Sequence, residues 1–437
     1  MLKWRKGNPG RETKIQNEAG LELYLRLEIT NEIVVAQTGE KTVVSERGEL
    51  RVTPNFIDLR CGPRRRIIDF PTARDINVDE TNSEHVDESL FATVHFRHSE
   101  FLNCQYIRGV LKAGGVDDVN FSPSLLSHKF SLASTEPKAD AITWKRKGCE
   151  AYAQRKKLFA RDSEHTTVSK PNAARFAQFL RYQVGGHPLI LDRLVQESLV
   201  PARVEFWLYE TGVTIHQTIC ISECNEVVSG SYDVTGNKET TGIEDDDIFA
   251  TMIALRKTPN VLDDVTDSVA ELLANNRGLD ALLTVLEYSL SGGEIDDSLR
   301  VAIESASAVD SNASKFSELL KKQPASEEEA RLLLTEFAHF SALATCKGSV
   351  IGCFAAPVHR SLGDGAAAME SYKVALRANP RIAGAYKDLG DVLVEGYAHN
   401  LGYRCWDMAR WLAPKMSMFD ELSAFEVELR ASYPEYF

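Results

Sequence analysis

The sequence lacks the long apolar runs and the regular cysteine spacing that mark membrane proteins and disulfide-rich secreted proteins. No apolar run in its 437 residues is long enough to span a bilayer, and the charged opening, residues 1–14, has no apolar segment behind it. The eight cysteines are scattered along the chain, so we expect reduced thiols. These absences predict a cytoplasmic protein with no membrane partner.

The sequence also lacks the common catalytic and cofactor motifs. It contains no GxxxxGK[ST], GxGxxG, HExxH, GxSxG or CxxC pattern, which removes the usual signals of phosphate loops, dinucleotide folds, zinc proteases, esterases and redox centres. We therefore predict no cofactor. Enzymatic activity is left undecided, because a catalytic site without a motif in the N-terminal half is an open alternative.

Two sets of possible metal ligands have an unsuitable spacing. His216, Cys220 and Cys224 lie on a predicted strand, where residues four apart are separated by about 13 Å, too far for ligands of one zinc ion. His95 and His98 lie three apart in a segment predicted to be extended, which places them on different faces. We predict no metal site.

Positive charge is scarce in the C-terminal half. Residues 1–230 hold 31 Lys and Arg against 30 Asp and Glu, whereas residues 231–437 hold 19 against 33. An acidic half is a poor match for a phosphate backbone, because nucleic-acid affinity comes largely from cations that displace counterions. The composition, 43% hydrophobic and 26% charged, is typical of globular domains, and the length predicts two or three of them.

The N-terminal half has the pattern of a mixed, mainly antiparallel β domain. Short alternating segments with turn residues between them predict a meander in the first 70 residues, and Ser89–Phe96 adds a further strand. Between about 145 and 200 the pattern becomes helical, with Pro171 and Pro188 where proline favours a helix start. We therefore predict an α+β fold, with a mainly β domain over residues 1–240 and a helical insert at about 145–200.

Residues 248–437 have the pattern of an all-α domain. Apolar residues recur at three-to-four spacing in one segment after another, and Ser326 with Glu329 forms a capping box at one helix start. We place the domain boundary at about 236–247, where glycine, polarity and acidity coincide.

One stretch of this helical region keeps the register of a known repeat. Over a period of 34 residues, small residues stand at fixed positions, large ones stand beside them, and a proline follows the second helix. Small side chains let two helix backbones approach closely, and proline ends a helix. The residues in register are Tyr386, Leu389, Gly390, Leu393, Gly402, Trp406, Ala409 and Pro414, preceded by Ala368, Tyr372, Ala375 and Pro380.

These residues resemble the tetratricopeptide repeat (TPR) family over about 366–414, with weaker similarity upstream. The resemblance implies paired helices and a concave surface, lined by the first helix of each repeat, that generally binds a protein or peptide. On the best repeat the surface positions are Lys387, Asp391 and Val394. Asp391 stands where family members that bind acidic chaperone tails have asparagine, which disfavours that ligand. Alternatively, Lys387 and Asp391 are a solvated face with an i,i+4 charge pair.

The similarity to the repeat weakens on both sides of this stretch. In the upstream repeat, Gly352 and Pro357 lie where the first helix is required. Either this helix lies earlier, at 327–344, and a long inserted loop follows within 347–365, or the repeat is incomplete; we favour the insertion. Downstream, residues 415–437 have the pattern of the terminal capping helix that such stacks need.

A basic, aromatic segment gives a second functional hypothesis. Residues 141–187 hold ten Lys and Arg against three acids, with aromatic residues between them. Cations and aromatic rings can bind nucleic acid by phosphate contact and base stacking; alternatively, the aromatics are core and the cations face solvent. The candidate nucleic-acid-binding residues are Lys145, Arg146, Lys147, Arg155, Lys156 and Lys157. We therefore predict first an interaction or adaptor protein, second a nucleic-acid-binding or regulatory protein, and third an enzyme.

Overall fold

The computed structural model describes residues 21–133, 142–228, 230–242 and 246–437. The chain divides into two compact units. The described residues up to Thr240, together with Phe425–Phe437, form the sheet unit, and those from Thr241 to Ala424 form the helical unit. The charged opening at residues 1–14 lies outside the described residues, as do residues 243–245 within the predicted boundary and Ala141 at the start of the basic segment.

The sheet unit is built on twelve strands of one sheet, in the order β14-β6-β5-β4-β3-β2-β1-β13-β12-β9-β8-β7, while β10 and β11 form a separate pair. Among the described strands, only β14 pairs parallel to its neighbour. The strands are β1 (Leu21–Val35), β2 (Lys41–Val52), β3 (Phe56–Cys61), β4 (Arg64–Asp69), β5 (Arg74–Asp79), β6 (Glu84–Ser89), β7 (Thr143–Lys145), β8 (Glu150–Ala153), β9 (Lys156–Arg161), β10 (His165–Thr167), β11 (Leu199–Pro201), β12 (Arg203–Glu210), β13 (Val213–Val228) and β14 (Lys238–Glu239).

Alternating apolar residues place one face of this sheet in the core. Leu23, Leu25 and Ile29 of β1 are fully buried, because successive side chains of a strand point to opposite faces. The antiparallel register brings buried partners together, with Leu25 opposite Leu50 and Ile29 opposite its partner on β13. Strands β1 to β6 follow one another as antiparallel neighbours; β1 to β4 are the meander predicted in the first 70 residues, and β5 and β6 continue it.

Four helices of the sheet unit complete its core together with residues 425–437. The four are α1 (Leu90–Ala113), α2 (Pro123–Phe130), α3 (Lys170–Val184) and α4 (Pro188–Glu197). Pro171 and Pro188 stand in the first turns of α3 and α4, as predicted. Short 3₁₀ turns occur at Val119–Phe121, Arg146–Gly148, Gly348–Ile351, Ser417–Phe419 and Pro434–Tyr436.

The strand predicted at Ser89–Phe96 is wrong, because helix α1 begins at Leu90. Leu90, Val94 and Phe101 are buried on one side of α1 at helical spacing. Over only eight residues their apolar pattern also fits alternation, so periodicity alone did not separate the two structures.

The helical insert predicted at about 145–200 is wrong in its first part. Strands β7 to β10 occupy residues 143–167, and helices begin only at Lys170. The chain reverses between β8 and β9 at Gln154 and Arg155, whose φ angles are 50° and 65°. A left-handed two-residue turn is typical of a β-hairpin, but it is usually marked by glycine or asparagine. The sequence therefore carried no turn signal there.

The described part of the helical unit from Asp246 onwards contains helices without strands, so the predicted class of a mainly antiparallel sheet domain followed by an all-helical region is confirmed. Successive helices pack in pairs around their own core. They are α5 (Asp247–Leu255), α6 (Thr266–Ala274), α7 (Gly278–Leu290), α8 (Asp297–Val309), α9 (Ser311–Leu319), α10 (Glu327–Leu343), α11 (Gly352–Ser361), α12 (Gly365–Ala378), α13 (Ala383–Glu395) and α14 (His399–Leu412), followed by α15 (Asp420–Ser432).

The long loop predicted within 347–365 is wrong, because α11 fills most of it and packs on α12. Pro357 lies inside this helix. Gly352 provides the close approach: a Cβ there would lie 2.7 Å from the carbonyl oxygen of Ser371 on α12. We took Gly352 as evidence against a helix, but the close packing of α11 on α12 requires a glycine at this position.

Residues 425–437 pack in the sheet unit, and Leu429 and Tyr436 belong to its apolar core. No helix among the described residues is both long enough and apolar enough to cross a membrane.

Candidate functional site

The α13–α14 hairpin closes around two glycines. A Cβ on Gly390 would lie 2.5 Å from the indole of Trp406 and 2.9 Å from the carbonyl oxygen of Gly402. Real Cβ atoms do not approach that closely, so both glycines are needed where the helices cross. Tyr386 and Leu389 are buried beside them.

The predicted surface residues lie together at this crossing. The indole Nε1–H of Trp406 donates to the carbonyl oxygen of Lys387 and to Oδ1 of Asp391, both at 3.1 Å. The Lys387 ammonium donates to Oδ2 of Asp391 at 2.7 Å. Val394 is half-buried, and its Cγ2 would be 2.5 Å from a Cβ on Gly402. Asp391 and Val394 therefore also hold the hairpin together.

Three residues not predicted from the sequence extend this surface. The guanidinium of Arg360, at the end of α11, donates through Nε to Glu395 of α13 at 2.8 Å. Asp388 lies 3.6 Å from the Lys387 ammonium. Arg360 occupies the same repeat position as Val394, one 34-residue period earlier, so a correct assignment of α11 would have identified it. We call Arg360, Lys387, Asp388, Asp391 and Glu395 the α13 charge cluster.

Asp388 is the least compensated member of the α13 charge cluster. Burial and the nearby Asp391 raise the pKa of its carboxyl above the ordinary value, although Lys387 and Arg360 act in the opposite direction. Its side chain is nevertheless 35% exposed. A cation brought to this surface would stabilise the charged carboxylate, so the cluster is suited to bind a positive group.

The α13 charge cluster has no activated thiol beside it. Burial, with Asp388 as a smaller cause, raises the pKa of the nearby Cys353 thiol to about 12. The thiol is therefore protonated near neutral pH and cannot act as a thiolate nucleophile.

Three lysines of the basic segment lie over aromatic rings of the protein, one within the segment and two on β12. The Nζ atoms of Lys145 and Lys156 lie 4.3 Å from the ring centroids of Tyr152 and Tyr209. Lys157 lies 4.4 Å from the ring centroid of Trp207. A base that stacked on these rings would have to displace a lysine from each.

Glu150 neutralises part of the same segment. Its buried carboxylate lies 3.2 Å from Arg146 and 3.1 Å from Lys157. Lys156 is held by Asn120 at 2.6 Å. Lys147 and Arg155 are exposed, occupy left-handed turn positions and have no hydrogen-bond or ion-pair partner within the described chain. The structure thus separates the six candidate residues into two free cations and four engaged ones.

The histidine and cysteine sets considered as metal ligands have other contacts. His216 lies 2.8 Å from the carboxylate of Glu205, and the Nδ1 of His98 lies 2.7 Å from the hydroxyl of Tyr433. His95 packs against the ring of Phe425. Across the ranges that the structure describes, no three His, Cys, Asp or Glu side chains are grouped as a metal site.

In comparisons with known proteins, no family model matches the chain and no curated protein matches its sequence significantly.

Proposed function

We propose that the helical unit is a TPR-like binding module and that the α13 charge cluster receives a basic segment of a protein partner. The observation that carries this proposal is the Asp388 carboxyl, which is 35% exposed and lies 3.6 Å from the Lys387 ammonium; its pKa is raised by burial. An under-compensated carboxylate weakens the folded state, and a bound lysine or arginine would offset that cost. Such a residue contributes more to binding than to stability.

The chemistry of the cluster indicates the charge of the partner. Within the described part of the chain, Asp388, Asp391 and Glu395 form ion pairs with two cations, Arg360 and Lys387. The surplus of negative charge favours lysine or arginine side chains over acidic ones. All eight cysteines are free, which supports an adaptor that acts in the reducing cytoplasm.

Nucleic-acid binding by the basic segment is the second candidate function. It is supported by Lys147 and Arg155, two exposed cations on neighbouring tight turns. The engaged lysines and the covered rings make it the weaker proposal, because only two of the six candidate cations are free to contact phosphates.

Selection from a random peptide library on the immobilised full-length protein tests the first proposal. We expect the selected peptides to be enriched in lysine and arginine. Their affinity for Asp388→Asn should fall by about tenfold, since one charge-assisted contact is worth about 1.5–3 kcal/mol. Glu304→Gln provides the matched control, because it removes the same charge from an exposed position on α8.

Selected peptides without basic residues, or equal binding by wild type and Asp388→Asn, would contradict the proposal. Equal loss of binding in Asp388→Asn and Glu304→Gln would show that the affinity depends on the overall charge of the protein and not on the Asp388 position.

A further inference from the structure

Residues 425–437, which we call the tail segment, are held in the sheet unit by apolar and aromatic anchors. Leu429 and Tyr436 are buried, and Phe425, Tyr433 and Phe437 are half-buried against the same core. The tail segment adds no strand to either described sheet. The described strand pairing therefore does not involve the tail segment.

Both the hydroxyl and the ring of Tyr436 make specific contacts in the sheet unit. Its hydroxyl donates to the carbonyl oxygen of Phe130 at 2.7 Å and accepts from Arg97 at 2.9 Å. Its own carbonyl oxygen accepts from the hydroxyl of Tyr182 at 2.7 Å. The ring lies between two guanidinium groups, 5.5 Å from Arg97 and 5.3 Å from Arg181. This is a built pocket for one tyrosine.

A buried cation beside this pocket requires an acidic residue. Arg181 is 3% exposed, and its Nη1 donates to the carbonyl and hydroxyl oxygens of Ser131, both at 2.9 Å. Its buried Nε has no hydrogen-bond partner in the described chain. The carboxylate of Glu435 lies 3.5 Å from the guanidinium. A buried charge is costly without a counterion, so the pocket selects an acid directly before the tyrosine.

The residue after the tyrosine, Phe437, also makes specific contacts. Phe437 packs against Phe91 of α1, with ring centroids 4.9 Å apart, and Arg430 covers both rings at 4.7 Å and 5.4 Å. The surface thus fits the order acid, tyrosine, aromatic.

We propose that the surface of α1, α2 and α3 that holds the tail segment is a peptide-binding site for a Glu-Tyr-Phe sequence, and that it accepts the tail segment of a second copy of the chain as well as its own. The site lies in the sheet unit and is independent of the function proposed for the helical unit. The tail segment pairs with no strand of the described sheets, so its exchange does not require the sheet to open.

Binding of a fluorescent synthetic peptide with the sequence of residues 420–437 tests this site. The receptors are the full chain and its Tyr436→Ala variant, in which the resident segment has lost its anchor. We expect saturable anisotropy with the variant and at least tenfold weaker binding to wild type, because the resident segment competes at a high effective concentration. A peptide carrying Tyr436→Phe should bind the variant at least tenfold more weakly, since Arg97 and the Phe130 carbonyl lose a partner.

A variant that keeps its native circular dichroism yet fails to bind, or equal binding of the two peptides, would overturn the proposal. A second measurement uses wild type alone, in case Tyr436→Ala does not fold. The same peptide with a photoreactive group at Tyr433 should label α1 near His98, as mapped by mass spectrometry. Labelling that is absent, or unchanged in a Tyr436→Ala peptide, would equally exclude the site.

Discussion

Gly390 and Gly402 face each other where α13 and α14 cross, so that a Cβ on either would lie within 3 Å of the other's carbonyl oxygen. We predict that Gly402→Ala lowers the free energy of unfolding by about 1–3 kcal/mol, because the added methyl also meets Val394. Chemical denaturation followed by circular dichroism measures the change. Gly365→Ala is the control: at the start of α12 its methyl meets nothing closer than 4.0 Å, so stability should not fall.

Trp406 combines apolar burial with the hydrogen bonds that join α14 to α13. It is 6% exposed, and we predict that Trp406→Ala costs about 3–5 kcal/mol. Trp406→Phe keeps most of the volume and loses the bonds to Lys387 and Asp391, so it should cost less, about 1–3 kcal/mol. An unchanged melting temperature in Trp406→Ala would contradict the packing of this hairpin.

Asp388 should behave as a binding residue and not as a stabilising one. Its folded-state pKa is raised, so the native chain binds the extra proton and stability falls as pH rises through that range. Asp388→Asn removes this penalty. We expect its melting temperature at pH 7 to be no lower than that of wild type, with the difference shrinking at pH 4, in scanning fluorimetry at both pH values. A clear loss of stability at pH 7 would make Asp388 a structural residue.

Local signals predicted the parts of this fold that local physics determines. Pro171 and Pro188 marked helix starts, and the capping serine Ser326 accepts from the Glu329 amide at 3.2 Å. The glycine register predicted the α13–α14 crossing, because the close approach of two backbones admits only small residues.

The rest of the site depends on contacts between residues distant in sequence. Gln154 and Arg155 adopt left-handed backbone conformations in the hairpin turn, and neither is a glycine, so no residue type predicted this turn. The pKa of the Asp388 carboxyl is lowered in part by Arg360, which lies on a helix that we predicted as a loop. The Tyr436 pocket joins residues about 250 to 340 positions apart, for which the sequence alone has no signal.

The buried His128 should make the sheet unit sensitive to acid. It is 1% exposed and its Nδ1 accepts from the His187 amide at 2.9 Å. Burial, followed by the proximity of His187, lowers its pKa to about 3. The unfolded chain binds this proton first, so stability falls as pH drops from about 6.5 towards 3, by at most about 1.4 kcal/mol per pH unit. His128→Asn should flatten this slope in urea titrations. The exposed His165→Asn should not, and equal slopes in the two variants would contradict the prediction.

The last prediction separates the two candidate functions through the basic segment. Lys147 and Arg155 are free, whereas Lys157 covers Trp207 and pairs with Glu150. If the segment binds nucleic acid, the double variant Lys147→Ala, Arg155→Ala should weaken the binding of single-stranded DNA and reduce the slope of log affinity against log salt by about 1.4, without loss of stability. Lys157→Ala should instead lower the melting temperature by a few degrees, because a cation–π contact and a largely buried ion pair are lost together. Salt titration of fluorescent DNA and scanning fluorimetry measure the two effects. The wild-type protein could show no salt-dependent affinity for DNA and still bind the library peptides. In that case the basic segment is a structural surface and the helical unit carries the function.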